Sequence, residues 1–217
     1  MKGGPQTWDE KGPVSVMKAC ISLDGTRIAA VFADKTLCIY DTRGEVILPP
    51  FKIDEKPRSV VFSPDGKLVA SDGQALRLWN VQTGEEVEKF DINVTSFAFS
   101  PDGTCIAAGC SKDVWSGSYN IRVIDLELAK ISDLHTNVSI SSGNGGIKLL
   151  KGEVQQSPFE GHNNHIYSIT YSGDGKKIAS SSDDSTVRVW DVSTGSRRTF
   201  RTASNWISSV AFSPDGT

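Results

Sequence analysis

The side chains with the most chemical potential gather between positions 161 and 191. His162, His165, Ser180, Ser182, Asp183 and Asp184 all lie there. Serine, histidine and aspartate are the ingredients of a nucleophilic triad, in which imidazole takes the hydroxyl proton and the carboxylate orients the imidazole. These serines sit in the run KKIASSS, without the G-x-S-x-G pattern that raises a nucleophile on a sharp turn. His162 and His165 are three residues apart and could hold a metal, but no H-E-x-x-H pattern or third ligand accompanies them. The glycine cluster SGNGG at 142–146 lacks the Lys-Ser or Lys-Thr end of a phosphate-binding loop and reads as a turn. The carboxylate pairs Asp183–Asp184 and Glu85–Glu86 fall in turns or at strand starts, where capping or solvation is their ordinary role. The expectation is therefore no catalytic residue, no metal site and no cofactor.

The elements that position these groups must come from the rest of the chain. Its 217 residues suffice for a sizeable core. With 38% hydrophobic and 23% charged residues, the composition excludes a mainly disordered chain. A net charge of -3 argues against a dedicated nucleic-acid binder, which needs clustered Lys and Arg to neutralise phosphates. No apolar run approaches the roughly 18 residues of a membrane span. The start, MKGGPQTWDEKGP, has no apolar signal-peptide region. The expected setting is intracellular, cytoplasmic or nuclear, and not secreted. Cys20, Cys38, Cys105 and Cys110 form no C-x-x-C pair and read as small reduced core residues.

Internal repetition dominates the sequence. SPDG occurs at 63–66, 100–103 and 213–216, with SLDG at 22–25 and SGDG at 172–175. Their aspartates, at 24, 65, 102, 174 and 215, are separated by 41, 37, 72 and 41 residues. A second landmark follows the first four: LCIYD at 37–41, LRLWN at 76–80, IRVID at 121–125 and VRVWD at 187–191. The landmarks are offset by 17, 15, 23 and 17 residues.

Each unit reads as four short strands. In 165–202, HIYSITYS alternates apolar Ile166, Ile169 and Tyr171 with polar neighbours, and GDG supplies a tight turn. KKIASSS, TVRVWD and SRRTFRT follow, separated by the turns DDS and STG. β-Branched residues with turns at such spacing favour all-β structure. Four strands alone bury too little surface, whereas sheets stacked radially bury both faces. The predicted fold is all-β, a β-propeller of four-stranded antiparallel blades.

These residues carry a family resemblance. GH at 161–162, SVAFSPDG at 209–216, IASSSDDSTVRVWD at 178–191 and RSVVFSPDG at 58–66 resemble the tryptophan–aspartate (WD) repeat family of β-propellers. The phrase SPFEGH at 157–162 further resembles fungal WD-repeat proteins, some of which carry the propeller behind an NTPase module. In that family a GH histidine, a second-strand Ser or Thr, a turn Asp and a third-strand Trp form a buried hydrogen-bonded network. The resemblance implies a structural role of this kind for His162, Ser180 or Ser182, Asp184 and Trp190. The other repeats keep less: Trp79 and Asp72 in one, Asp34 and Tyr40 in another, Ile124 in a third.

The repeats imply an N-terminal tail at 1–13 and a propeller region at 14–217. Its blades are expected at 14–53, 56–91, 93–132 and 165–202, with a degenerate blade at 133–160 and a truncated one at 206–217. A long loop is the competing reading of the irregular 126–164 stretch, and KDVWSGSYN at 112–120 reads as an inserted hairpin tip. Family propellers usually close with seven blades, so about five and a half read as an incomplete fragment.

What is left for function is surface. Nine residues before the repeat aspartates stand Ser15, Lys56, Asn93, His165 and Trp206, and two residues later Met17, Arg58, Thr95, Tyr167 and Ser208. Equivalent positions in stacked blades form rings on one face. Trp, Tyr and Arg are the types that concentrate binding energy. Lys56, Arg58, His165, Tyr167 and Trp206 are the partner-binding candidates. The expected function is a non-catalytic scaffold binding a protein or peptide, with no direct nucleic-acid or membrane contact. Self-association through the open C-terminal blade edge is a further expectation. Two alternatives stand beside it: a sensor or regulatory segment of a larger signalling NTPase, and a non-functional gene fragment.

Overall fold

The structure, a computed structural model, describes residues 14–53, 57–73, 75–110, 119–126, 161–203 and 206–214. Fifteen strands form among them, in four antiparallel sheets. The first sheet contains β1 (Val16–Ile21), β2 (Arg27–Phe32), β3 (Thr36–Asp41) and β4 (Val46–Lys52). The second contains β5 (Val60–Phe62), β6 (Leu68–Ser71), β7 (Leu76–Asn80) and β8 (Glu86–Phe90). The third contains β9 (Val94–Phe99), β10 (Cys105–Cys110) and β11 (Asn120–Asp125). The fourth contains β12 (Ile166–Tyr171), β13 (Lys177–Ser182), β14 (Thr186–Asp191) and β15 (Arg197–Arg201). The chain thus adopts an all-β fold of antiparallel sheets, three of them four-stranded and one three-stranded among the described residues. In each sheet consecutive strands are neighbours, and short turns join those of the first and fourth sheets.

The repeated Ser-x-Asp-Gly sequence explains the first turn of each sheet. In the fourth sheet Ser172 Oγ donates to Asp174 Oδ1 at 2.7 Å, and the same oxygen accepts the Lys177 N–H at 2.9 Å. Gly175 follows at φ +71°, a conformation that favours glycine. Ser22–Asp24, Ser63–Asp65 and Ser100–Asp102 repeat the hydroxyl-to-carboxylate bond at 2.5, 2.7 and 2.5 Å. These bonds stabilise the carboxylate. The Ser22 hydroxyl and the Thr26 N–H and hydroxyl hold Asp24 down to about 2.

The chain divides into two compact units, before and after Ile92/Asn93. In the first, Ala29, Val31, Leu37 and Ile39 of the first sheet pack with Val60, Phe62, Val69 and Trp79 of the second. In the second unit, Ala107, Ile121 and Val123 pack with Ile166, Ile169, Tyr171, Ile178 and Trp190. The fourth sheet therefore lies directly on the third. Small residues permit this: a Cβ on Gly109 would meet Ile169 Cδ1 at 3.0 Å and Ile166 Cγ2 at 3.1 Å. Across the contact, Ser96 Oγ accepts the Ile169 N–H at 3.1 Å. The expected degenerate blade at 133–160 and most of the 112–120 hairpin tip lie outside the described residues.

Two local details depart from simple alternation. A bulge between Ile166 and Ser168 breaks the period of two in β12, which is why Ile166 and Ile169 both face the core. In β14 the buried set is Thr186, Arg188 and Trp190, while Val187 and Val189 are half-buried. No helix among the described residues is long and apolar enough to cross a membrane.

Candidate functional site

The polar cluster of the fourth sheet is built by strand register. Ser180 on β13 stands opposite Arg188 on β14, and Ile178 opposite Trp190. The Trp190 indole N–H donates to Ser180 Oγ at 3.0 Å. Ser180 Oγ lies 2.7 Å from His162 Nε2, and His162 Nδ1 lies 2.9 Å from Asp184 Oδ2. The ionised Asp184 carboxylate can only accept, so it draws the ring proton to Nδ1 and leaves Nε2 to take the serine proton, while the serine oxygen accepts from the indole. Nε2 then accepts, Nδ1 carries the ring proton, and Nδ1–H donates to Asp184. The bonds run in one direction and suit a neutral imidazole.

The titration tendencies fit this wiring. Burial pushes His162 below its ordinary value and outweighs the pull of Asp184. For Asp184, burial pushes the pKa up, but bonds from the Thr186 hydroxyl and the Asn163 N–H, with His162, bring it below the usual carboxylate range. Thr186 Oγ1 donates to Asp184 Oδ1 at 2.5 Å, and the Asn163 N–H reaches Oδ2 at 3.0 Å. Arg188 adds an ion pair with Asp184 at 3.5 Å.

Serine, histidine and aspartate are thus in triad order and at triad distances. Yet Ser180 is 0% exposed, and its oxygen already accepts from Trp190. The arrangement ties the second and third strands to the Gly161–His162 entry segment. Ser182 does different work: its Oγ donates to Asn164 O at 3.1 Å and accepts the Asp184 N–H at 3.1 Å. Thr186, Arg188 and Asn163 were not singled out by the sequence reading. An Asp-x-Thr pattern was available as the signal for Thr186, because Asp34–Thr36 makes the same bond at 2.6 Å.

The exposed candidates lie elsewhere in the fold. In the second unit His165 and Tyr167 are exposed beside and within β12, and Trp206 is 66% exposed. His165 O accepts the Asp183 N–H at 2.9 Å, and Ser182 O accepts the Ile207 N–H at 3.2 Å. These bonds bring His165 and the start of the 206–214 segment to the same end of β13. Tyr119 joins there, with its ring 4.8 Å from that of His165. In the first unit Arg58 is exposed, and its backbone N–H donates to Asp72 Oδ1 at 2.7 Å. Lys56 lies outside the described residues.

Two stretches, 84–116 and 152–191, match the family profile described as WD domain, G-beta repeat. The WD repeat-containing protein SL1-17 of Schistosoma mansoni is 30% identical over 80% of this chain and 61% of its own length. The chain belongs to the WD-repeat family. This WD-repeat chain is also similar to the anaphase-promoting complex subunit cdc20 of Dictyostelium discoideum, at 28% identity over 55% of the chain and 27% of that protein. Similarity to apoptotic protease-activating factor 1 of Danio rerio, at 32% identity, covers 63% of the chain and 12% of that protein. The chain spans less than two thirds of the length of each of these relatives.

Proposed function

We propose that this WD-repeat chain is a non-catalytic scaffold that binds a protein or peptide partner through Lys56, Arg58, His165, Tyr167 and Trp206. The observation that carries the reading is the exposed aromatic and imidazole group at one end of the fourth sheet. Tyr167 is 44% and Trp206 66% exposed, although both are large hydrophobic side chains. Such residues anchor interfaces because they bury much area at little entropic cost. The similarity to a subunit of the anaphase-promoting complex supports a role within assemblies. The test replaces Arg58 and Tyr167 with Ala, verifies unchanged thermal unfolding, and compares captured cellular proteins with those of the wild type. Loss of specific partners supports the reading; an unaltered set refutes it.

A second reading, a regulatory segment of a larger signalling NTPase, draws on the similarity to apoptotic protease-activating factor 1, of which the chain covers 12%. The transcript spanning this locus decides it by showing whether a phosphate-binding loop is encoded with these repeats. Self-association through the 206–217 segment belongs to the same proposal, on the general ground that an unpaired strand edge templates association. Sedimentation across a concentration series tests it, and a monomer at every concentration counts against it.

A further inference from the structure

Residues 161–165 lead into β12 and are tied down by the turn between β13 and β14. His162 Nδ1 and the Asn163 N–H both donate to Asp184 Oδ2, at 2.9 and 3.0 Å. Asn164 Nδ2 donates to Asp183 Oδ2 at 3.0 Å, and Ser182 Oγ donates to Asn164 O at 3.1 Å. The Asp183 N–H returns to His165 O at 2.9 Å. An isolated bridge joins His162 to Tyr119 of the third sheet. His162 is buried, whereas Asn163 and His165 are exposed. The imidazole is thus the inward anchor of a segment that presents His165 at its outer end, against the Tyr119 ring.

This anchor is built for a neutral ring. Asp184 Oδ2, which accepts from Nδ1, also faces the Arg188 guanidinium of β14 at 3.5 Å. A proton on Nε2 would set two cations on one carboxylate oxygen, with Arg197 of β15 adding a third field. The other neighbours bring no charge. Thr186 Oγ1 lies 3.2 Å from Nδ1, and Tyr119 reaches the segment from the third sheet. On β13, Ser180 Oγ accepts from Trp190 and gives its proton to Nε2. Protonation turns Nε2 into a donor and strands the proton of a fully buried serine. Burial first, then Arg188 and Arg197, hold the imidazole below its ordinary 6.5 against the pull of Asp184.

We propose that His162 is an acid-operated latch: a proton taken up at Nε2 releases residues 161–165 from the β13–β14 turn and withdraws His165 from the partner surface. Once released, the imidazole is hydrated, and water satisfies both of its donors. It then takes up a proton at its ordinary value, so the released form gains ground as pH falls below 6.5. Its population rises at most about tenfold per pH unit. The consequence for binding rests on the partner-binding reading above; the release itself does not. A partner that needs His165 in place would bind more weakly in the same pH range, and by linkage its binding would keep His162 neutral.

Amide hydrogen exchange of the whole chain tests the latch, read at the Asn163 and Asp183 N–H groups, which the release frees. Between about pH 7.5 and about pH 5.5, and after correction for the intrinsic rate, protection at both should fall, by no more than about tenfold per pH unit. The ladder between β13 and β14 should keep its protection. His162→Gln, which cannot titrate, should hold both sites constant over this range. If that variant does not fold, Arg188→Gln carries the same test: with one cation removed from Asp184 Oδ2, the fall should be smaller. Constant protection in the wild type overturns the proposal. So does a loss shared equally by the β13–β14 ladder, or an undiminished fall in the variant. Exchange is read without a partner, so failure of the latch is distinct from failure of partner binding.

Discussion

Trp79 donates its indole N–H to Ser71 Oγ at 2.9 Å, the same bond that Trp190 makes to Ser180 at 3.0 Å. In the fourth sheet the chain of bonds continues through His162 to Asp184. Trp190 is 1% exposed, and its loss leaves a cavity and removes one of the two hydrogen bonds on the Ser180 hydroxyl. Trp190→Ala should lower stability by about 3–5 kcal/mol. Asp184→Ala should cost about 1–3 kcal/mol by stranding the His162, Thr186 and Asn163 donors. Urea denaturation measures both. If either variant unfolds at the wild-type midpoint, the network is not structural.

Acid should weaken the fourth sheet first through His162. The folded state holds this imidazole below its ordinary 6.5 because of burial. Below that value the unfolded chain binds the proton more readily, so stability falls as pH drops. Asp184 acts in the same direction at lower pH, since its folded value lies below the ordinary 3.8. The expected result is a urea midpoint that declines from neutral pH toward mildly acidic pH. His162→Gln, which cannot titrate, should flatten the upper part of that decline.

Asp72 should show the opposite sign. Its Oδ1 accepts the Arg58 and Ser59 N–H groups at 2.7 and 2.5 Å, while the buried Oδ2 has no partner among the described residues. Burial raises its pKa above 3.8 despite those two bonds. Its ionisation therefore costs folding energy once pH rises through the folded value. Asp72→Asn keeps one acceptor without the charge, so it should compare better with wild type at neutral than at mildly acidic pH. Asp72→Ala removes both bonds and should cost about 1–3 kcal/mol. Paired urea titrations at the two pH values separate the variants, and the same offset at both would contradict the charge account.

Much of this was legible because turn chemistry repeats. The Ser-x-Asp-Gly turns fix where each second strand begins, so the four strands of 165–202 fall close to where the sequence puts them. The His162–Ser180–Asp184–Trp190 set could be named, but not its wiring. Ser180 and Ser182 look alike in the run ASSS, and only register assigns one to the tryptophan and the other to the Asn164 carbonyl. Arg188, a charge between two valines, carries no signal of burial in the sequence. The partner face of the sheet buries it instead, beside Asp184. The bulge at Ile166–Ser168 has no signal of its own in the sequence, and it decides which apolar residues of β12 face the core.

The contact between the third and fourth sheets depends on small residues in β10. Ala107 and Ala108 are fully buried there, and Gly109 leaves room for Ile166 and Ile169. No left-handed backbone is needed at Gly109, so a substitution tests space alone. A β-branched side chain would enter where a single Cβ already meets Ile169 at 3.0 Å and Ile166 at 3.1 Å. Overpacking of this kind typically costs about 1–3 kcal/mol. Gly109→Val should therefore destabilise the chain although it raises the strand propensity of β10. Adding Ile169→Val, which removes the Cδ1 methyl that a Cβ at position 109 would meet, should recover part of the loss. Thermal unfolding of the single and double variants reads this directly, and additive losses in the double variant would show that the two sheets do not meet at this point.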